Sequence, residues 1–259
     1  MNKPIGLSHL MTNRITQYVV LAYQAIAILA FIVIPFLAFQ FFQRPFLGLF
    51  LEHTLVTNGV GPVGSPEWPL LNKGLKFGHQ LVSLSLVDAN NNLVETVQPK
   101  NYSDVDAFLG NHFPGETVQA TFRQKDGTET AYIVNLTSFA FPDQLQYFYI
   151  PYFIGLVYLG VGLWIFGLRR NETAGRAFSL FATSVALAAG CLFDLYTSHY
   201  LTQLWVLALP MVGVSFIHLG VVFPQESRIS LRYPFLRWAW YAPGILLGWL
   251  NLSSVFNYR

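Results

Sequence analysis

Charge is scarce in this chain. Asp, Glu, Lys and Arg together make up 11% of its 259 residues, whereas hydrophobic residues make up 53%. A soluble protein of this length needs far more charged side chains to cover its surface in water. The composition therefore excludes an ordinary soluble globular protein and indicates that membrane helices dominate.

Cysteine is almost absent as well, since Cys191 is the only one. A single cysteine cannot form an intramolecular disulfide, so a disulfide-supported domain is excluded, and so is a metal site built on cysteines. Cys191 itself lies inside an apolar stretch, which favours a packing role over redox chemistry.

Motifs of membrane proteases and nucleotide-binding enzymes are missing too. A zinc protease needs a His-Glu-x-x-His pair to place two ligands and a base on one helix face, and the chain has none. Intramembrane aspartyl proteolysis needs two membrane carboxylates, and only Asp194 is available; Ser215 and His218 lie on the same predicted helix. No Gly-rich phosphate loop with a lysine is present. We therefore predict no catalytic residue, no metal ligand and no cofactor in this chain.

What the chain does contain is five long apolar stretches, interrupted once by a polar block, residues 44–146. A helix of roughly 20 apolar residues crosses the hydrocarbon core of a bilayer. The fold class is therefore predicted as a multi-pass α-helical membrane protein with one inserted domain, and the lipid bilayer is its first partner. The predicted spans are 15–43, 147–168, 177–196, 201–223 and 238–256.

Basic residues indicate the orientation of these spans. They occur in residues 1–14, between the second and third spans, and between the fourth and fifth, whereas the connector 197–200 has none. By the positive-inside rule the N-terminus is cytoplasmic and residues 44–146 are extracytoplasmic. Five spans that start inside would place Arg259 outside. We expect further spans and a cytoplasmic effector after Arg259, so that this chain is the N-terminal piece of a longer protein.

The polar block has two parts with different patterns. Residues 44–70 contain several prolines and glycines and are predicted to form an extended segment that leads into a domain. Residues 71–138 alternate apolar and polar side chains in short runs separated by turns, and Ser103 with Asp106 approximates a capping box that opens a helix. These signals predict a small α+β domain in which one helix covers a bent sheet. The alternating runs are 82–86, 93–97, 118–122 and 132–136.

Two segments of this domain resemble a PDZ domain of the bacterial kind. Gly74-Leu75-Lys76-Phe77-Gly78-His79 is similar to the family's Gly-Leu-x-x-Gly-Asp turn, with His79 in place of the aspartate. Pro114-Gly115-Glu116-Thr117-Val118 is similar to its Pro-Gly-x-x-Val strand. The resemblance implies a PDZ-like groove between a strand and the helix, where an extended peptide adds a strand. Leu75, Phe77 and Phe108 are the candidate ligand-binding residues, although we favour a core position for Phe77 and Phe108.

The order of these parts is similar to the input region of bacterial membrane sensor histidine kinases, including the pheromone-sensing kinases of the competence type. His218-Leu219-Gly220-Val221-Val222-Phe223-Pro224 resembles a His-Leu-x-x-x-Phe-Pro helix end that recurs in that group. The resemblance implies a receptor in the bacterial plasma membrane, a homodimer in full length, that detects an extracytoplasmic ligand or peptide and acts on a response regulator. ATP and Mg²⁺ would then bind only in a kinase domain absent from this chain, and nucleic acid is not an expected partner. The alternatives are a PDZ-like membrane scaffold and the input region of a phosphatase or a cyclase.

Apart from tyrosines and Cys191, the predicted spans contain two ionisable side chains. Asp194 lies near the outer end of the third span, and His218 lies near the inner end of the fourth. An ionisable group inside a membrane is a functional candidate because leaving it in lipid is costly. The interpretation we favour is structural: water solvates Asp194 at the interface, and His218 forms a hydrogen bond across helices.

Overall fold

Long apolar helices dominate the computed structural model, which describes residues 7–62, 68–75, 77–224 and 239–255. Within these residues, four helices are long and apolar enough to cross a membrane. The prediction of several long apolar helices is confirmed, and these helices are compatible with a multi-pass membrane protein. The four helical stretches are Arg14–Phe42, Phe141–Arg169, Thr173–Tyr196 and Thr202–Val222.

The elements follow one another in an order that places all strands between the first two long helices. The chain begins with α1 (Leu7–Phe42). The inserted part contains β1 (Pro45–Phe46), α2 (Pro69–Asn72), β2 (Gln80–Val87), β3 (Leu93–Val97), α3 (Tyr102–Gly110), β4 (Thr117–Arg123), β5 (Glu129–Asn135) and β6 (Thr137–Ser138). The helices after it are α4 (Phe141–Gln144), α5 (Ile150–Arg169), α6 (Thr173–Gly190), α7 (Leu192–Tyr196), α8 (Thr202–Val222) and α9 (Tyr241–Val255).

The fifth predicted span, 238–256, is described only in part. Its described portion is α9, a helix of 15 residues, which is shorter than the roughly 20 residues that a membrane span needs. The residues on either side of it, 225–238 and 256–259, lie outside the described part of the chain.

The described residues of 1–33, 152–191 and 203–257 form one compact unit built from helices. Its helices approach closely where glycines face an aromatic ring. A Cβ atom on Gly155 or on Gly190 would lie 2.6 Å from the ring of Phe31, so neither position accepts a side chain. The hydroxyl of Tyr152 also donates a hydrogen bond to the carbonyl oxygen of Phe31, at 2.9 Å. Small residues at helix contacts are the usual way in which membrane helices pack without a hydrophobic driving force.

Residues 34–151 and 192–202 belong to a second compact unit, which contains the sheet. Its four-stranded sheet has the order β3-β2-β4-β5, and every neighbouring pair is antiparallel. The alternation of the sequence explains this arrangement, because side chains such as Leu84 and Ala120 point to one face and are buried there. The helix α3 is capped by Asn101, whose side chain accepts from the backbone N–H of Asp104, so the cap lies two residues before the predicted Ser103.

The core of this unit begins before the predicted domain boundary at residue 71. β1 pairs with β6, and isolated bridges join Leu51 to Thr57 and Val56 to Gln80. The segment that the sequence analysis treats as an extended lead-in therefore contributes to the domain, because its leucines pack with the residues of the sheet. The leucines from this segment in the common core are Leu47, Leu49, Leu51, Leu55 and Leu70.

Candidate functional site

A cluster of aromatic rings joins the ends of the long helices to the inserted domain, all within the second unit. The ring of Phe50 in the domain lies 5.0 Å from Trp68, 5.5 Å from Tyr147 and 5.7 Å from Tyr196, measured between ring centroids. Each such pair contributes about 0.5–1.5 kcal/mol beyond the area that it buries. We call this set the aromatic junction: Phe41, Phe42, Phe46, Phe50, Trp68, Phe139, Tyr147, Phe148, Phe193 and Tyr196.

A buried polar contact fixes the start of the second long helix to the same junction. The indole Nε1 of Trp68 donates to the carboxylate Oδ2 of Asp143 at 2.8 Å, and both side chains are fully buried. Asp143 lies in the first turn of α4, where the helix dipole also favours a carboxylate. The hydroxyl of Tyr147 donates to the carbonyl oxygen of Gly61, a second polar contact between this helix and the domain.

The connector between α7 and α8 contacts the domain through His199. The imidazole Nε2 of His199 lies 3.0 Å from the carbonyl oxygen of Leu51, and its ring centroid lies 4.7 Å from that of Tyr102 at the start of α3. Because a carbonyl oxygen only accepts, Nε2 must carry the proton. The ring of His53 lies 6.1 Å away. We call residues 197–201 with these contacts the connector latch.

Burial keeps the latch histidine neutral. It lowers the pKa of His199 to about 4, and the nearby His53 pushes in the same direction. Burial also raises the pKa of Tyr102, so that hydroxyl stays protonated. Neutral groups suit this contact, because a charged imidazole in a partly dry site would need a counter-ion.

Asp194 orients the latch. Its Oδ1 accepts from the Ser198 hydroxyl at 2.6 Å and from the Tyr200 amide at 3.2 Å, while Oδ2 accepts from the Leu201 amide at 2.7 Å. Only 2% of Asp194 is exposed, so the favoured interpretation of a carboxylate solvated by interfacial water is wrong. The protein itself provides the hydrogen bonds, and they fix the connector in the shape that presents His199.

Two further polar contacts occur in the same part of the second unit, an ion pair and a carboxylate–amide hydrogen bond. Arg44, just after α1, pairs with Asp106 on α3. The side chain of Glu52 accepts from the amide of Asn58, and burial raises the pKa of Glu52 above its ordinary value. The end of α1 is thereby linked to the same helix, α3, whose first residue contacts His199.

The predicted ligand-binding residues do not meet in one groove. Leu75 and Phe108 are buried in the domain core, whereas 67% of Phe77 is exposed. Phe77 is thus a surface residue, contrary to the core position that we favoured for it, and Phe108 lies in the core. The remaining candidate, His218, lies in the other unit, where its Nδ1 is 2.9 Å from the hydroxyl of Tyr241 on α9.

Neither the connector latch nor the aromatic junction was predicted from the sequence. Aromatic residues near span ends are common because they anchor helices at the membrane interface, so Tyr147 and Tyr196 carried no specific signal. His199 stood in a connector of four uncharged residues. The sequence offered one signal for the latch: His199 lies between two predicted spans, and Asp194 lies five residues before it near the end of a span.

Comparison with known proteins does not assign this site. The chain matches no known family model, no curated protein and no solved structure. Function must therefore be argued from the geometry of the junction and the latch.

Proposed function

We propose that this chain is the sensory input region of a membrane signal-transduction receptor. In this proposal the inserted domain is PDZ-like and extracytoplasmic, detects a ligand or a partner protein, and passes its state to the membrane helices. The helices act in turn on a cytoplasmic effector, and the resemblance to sensor histidine kinases favours a kinase that acts on a response regulator. A homodimer in the bacterial plasma membrane fits the same resemblance.

The observation that carries the proposal is the bond between His199 and the Leu51 carbonyl oxygen. A domain that only held a partner could be attached by its two covalent linkers alone, at the end of α1 and before the start of α4. Here a third segment, the connector after α7, also contacts the domain. A displacement of the domain would therefore move several helices. A receptor requires such coupling between its ligand-binding domain and its membrane helices.

The strength of these contacts suits a switch. A neutral hydrogen bond contributes about 0.5–1.5 kcal/mol, and an aromatic pair contributes a similar amount. A ligand shifts a two-state equilibrium only by its difference in affinity for the two states, and a few kcal/mol makes a useful switch. Several weak contacts together hold the domain, yet a bound ligand can still break the latch.

The competing proposal is a PDZ-like membrane scaffold. The two proposals differ in whether destabilising the sheet also destabilises the connector. Leu84→Ala removes a fully buried side chain from β2, whereas Ile133→Ala changes a side chain on β5 that is 44% exposed. In lipid nanodiscs, the Leu84→Ala change should raise amide hydrogen exchange in residues 194–201 as well as in the sheet. Ile133→Ala should raise it in neither. Faster exchange confined to the sheet would contradict the receptor and favour the scaffold.

Orientation is tested separately with reporter fusions. Fusions after Gly110 and after His199 should report an extracytoplasmic location, and a fusion after Arg170 a cytoplasmic one, because of the distribution of basic residues. An inside signal at Gly110 would contradict detection of an external ligand.

A further inference from the structure

Two buried polar side chains lie at mid-depth in the helical unit. Gln24 on α1 is 1% exposed, and neither its Oε1 nor its Nε2 has a hydrogen-bond partner among the described residues. Thr183 on α6 is fully buried, and its Oγ1 also lacks a partner within the described part of the chain. Both positions lie well inside helices that are long enough to cross a membrane.

Helix register places these two side chains in one layer. The ring of Phe31 lies against Gly155 on α5 and Gly190 on α6. Seven residues make about two helical turns, so a residue seven positions away returns to the same face. Gln24 lies seven residues before Phe31, and Thr183 lies seven before Gly190. Gly162 lies seven after Gly155 on the antiparallel helix α5, so the next layer toward the N-terminus of α1 contains Gln24, Thr183 and Gly162.

Independent contacts support this layer. A Cβ atom on Gly162 would lie 3.4 Å from the Oγ1 of Thr183, so those two residues are adjacent. The hydroxyls of Tyr23 and Ser184, the immediate neighbours of Gln24 and Thr183, lie 3.1 Å apart. In parallel helices, the residue after one member of a facing pair and the residue before the other turn to the same side of the contact. Gln24 and Thr183 therefore both point toward α5.

Two neighbouring carbonyl oxygens already accept hydrogen bonds from serine hydroxyls. The carbonyl oxygen of Gly162 accepts from the Ser179 hydroxyl at 3.1 Å, and that of Leu180 accepts from the Ser184 hydroxyl at 2.8 Å. An amide buried without hydrogen bonds is costly, more so in a membrane interior than at a surface. A glutamine amide needs both a donor and an acceptor opposite it, and a threonine hydroxyl can donate and accept.

We propose that Gln24 and Thr183, next to Gly162, form a binding site for water inside the helical unit. The ligand is neutral because both side chains are neutral, and water offers the two donors and two acceptors that the pair requires. The bound water links α1 to α6 at mid-depth beside α5. A shift of α1 along α6 would break these hydrogen bonds. The bound water therefore stabilises one relative position of the two helices.

Water-edited solid-state NMR of the whole chain in lipid nanodiscs tests the site, with bulk water as the probe. Glutamine side-chain nitrogens are labelled with ¹⁵N, and the Gln24 signal is assigned by its disappearance in Gln24→Leu. Magnetisation from water should reach Gln24 Nε2 quickly despite its burial. The buried methyl groups of Leu187, a fully buried residue of α6, provide the dry reference.

Two variants of Thr183 distinguish the water from a direct contact. Thr183→Val keeps the shape but removes the hydroxyl, and it should lower the transfer to Gln24 several-fold. Thr183→Ser keeps the hydroxyl and should preserve the transfer, which also shows that the unit is still folded. Transfer to Gln24 no faster than to the Leu187 methyls, or a close Gln24–Thr183 correlation without water transfer, would overturn the proposal.

Discussion

The imidazole Nε2 of His199 lies 3.0 Å from the carbonyl oxygen of Leu51, and this contact joins two segments that are 148 residues apart in sequence. Leu51 belongs to the domain that follows α1, whereas His199 belongs to the connector before α8. The domain is thus held at three places along the chain: after α1, before α5, and at this connector. Movements of the domain and of the connector are therefore linked directly.

Removing the imidazole of His199 should loosen the connector. His199→Ala deletes the bond to Leu51 and the ring contact with Tyr102, for an expected loss of about 1–3 kcal/mol. The amides of residues 198–201 should then exchange several-fold faster, as measured by hydrogen exchange in lipid nanodiscs.

His199→Gln is the matched control, because its Nε2 can donate to the same carbonyl oxygen. Both variants carry a Cβ atom at a position where φ is +60°, so backbone strain does not distinguish them. Equal exchange in the two variants would show that the bond to Leu51 does not hold the connector.

Acid should loosen the same latch. The pKa of His199 is lowered to about 4 from an ordinary value of 6.5, so the folded state binds this proton less readily than the unfolded state. The stability that neutral His199 provides is therefore complete above about pH 6.5 and is lost as the pH falls toward 4. The change amounts to at most a few kcal/mol. It is measured as the protection factor of residues 198–201, which corrects for the intrinsic pH dependence of exchange.

Two neighbouring groups titrate nearby and must be separated from His199. Burial raises the pKa of Glu52, so its contribution is present at low pH and is lost as the pH rises, which is opposite in sign to that of His199. His53 faces His199 directly. In His199→Gln the loss of protection on acidification should disappear. If it persisted, an ionisable group other than His199 and Glu52 would be its source.

Asp194 should matter through the shape of the connector. Asp194→Asn replaces one acceptor oxygen with an NH2 group, so in either orientation of the new side chain one backbone N–H loses its acceptor, that of Leu201 at 2.7 Å or that of Tyr200 at 3.2 Å. The expected cost is about 1–3 kcal/mol, because a buried donor is left without a partner. Faster exchange at residues 199–201, with no change in the exchange of β4, is the expected result. Wild-type exchange at those amides would mean that Asp194 does not shape the connector.

The helices and the sheet could be predicted from sequence because each has a strong periodic or apolar signal. Uninterrupted apolar stretches gave the four long helices, and alternation at residues such as Leu84 and Val118 gave the strands. The junction gave no such signal. Trp68 and Asp143 meet across 75 residues, and no local pattern indicates such a contact. The leucines of 47–55 were hidden because prolines and glycines around them favoured an irregular segment.

The same leucines lead to a prediction about folding. Residues 70–138 expressed alone lack Leu47, Leu49, Leu51 and Leu55, which pack in the core of the sheet. Loss of one such side chain typically costs about 2–5 kcal/mol, comparable to the whole stability of a small domain. The fragment 70–138 should therefore not unfold cooperatively in urea, whereas 44–140 should. A cooperative transition in the shorter fragment would show that the early segment is dispensable.

The domain has more than one path to the helices. The short tether 137–146 leads directly to the second long helix, and a flexible Gly-Ser insertion after Ser138 interrupts this path. The aromatic junction and the latch provide a parallel path through α7. In the Leu84→Ala background, the insertion should therefore only partly reduce the spread of faster exchange to residues 194–201.

Combining the insertion with His199→Ala should reduce the spread further than the insertion alone, because the tether and the latch are then both broken while the aromatic junction remains. An insertion of equal length after Asp126, in the exposed turn between β4 and β5, is the control and should change nothing at the connector. If the insertion alone abolished the spread, the tether and the latch would belong to one pathway. The latch would then depend on the tether and would not be a second connection. If His199→Ala did not reduce the spread beyond the effect of the insertion, the remaining coupling would lie in the aromatic junction or in α1, through Arg44 and Asp106.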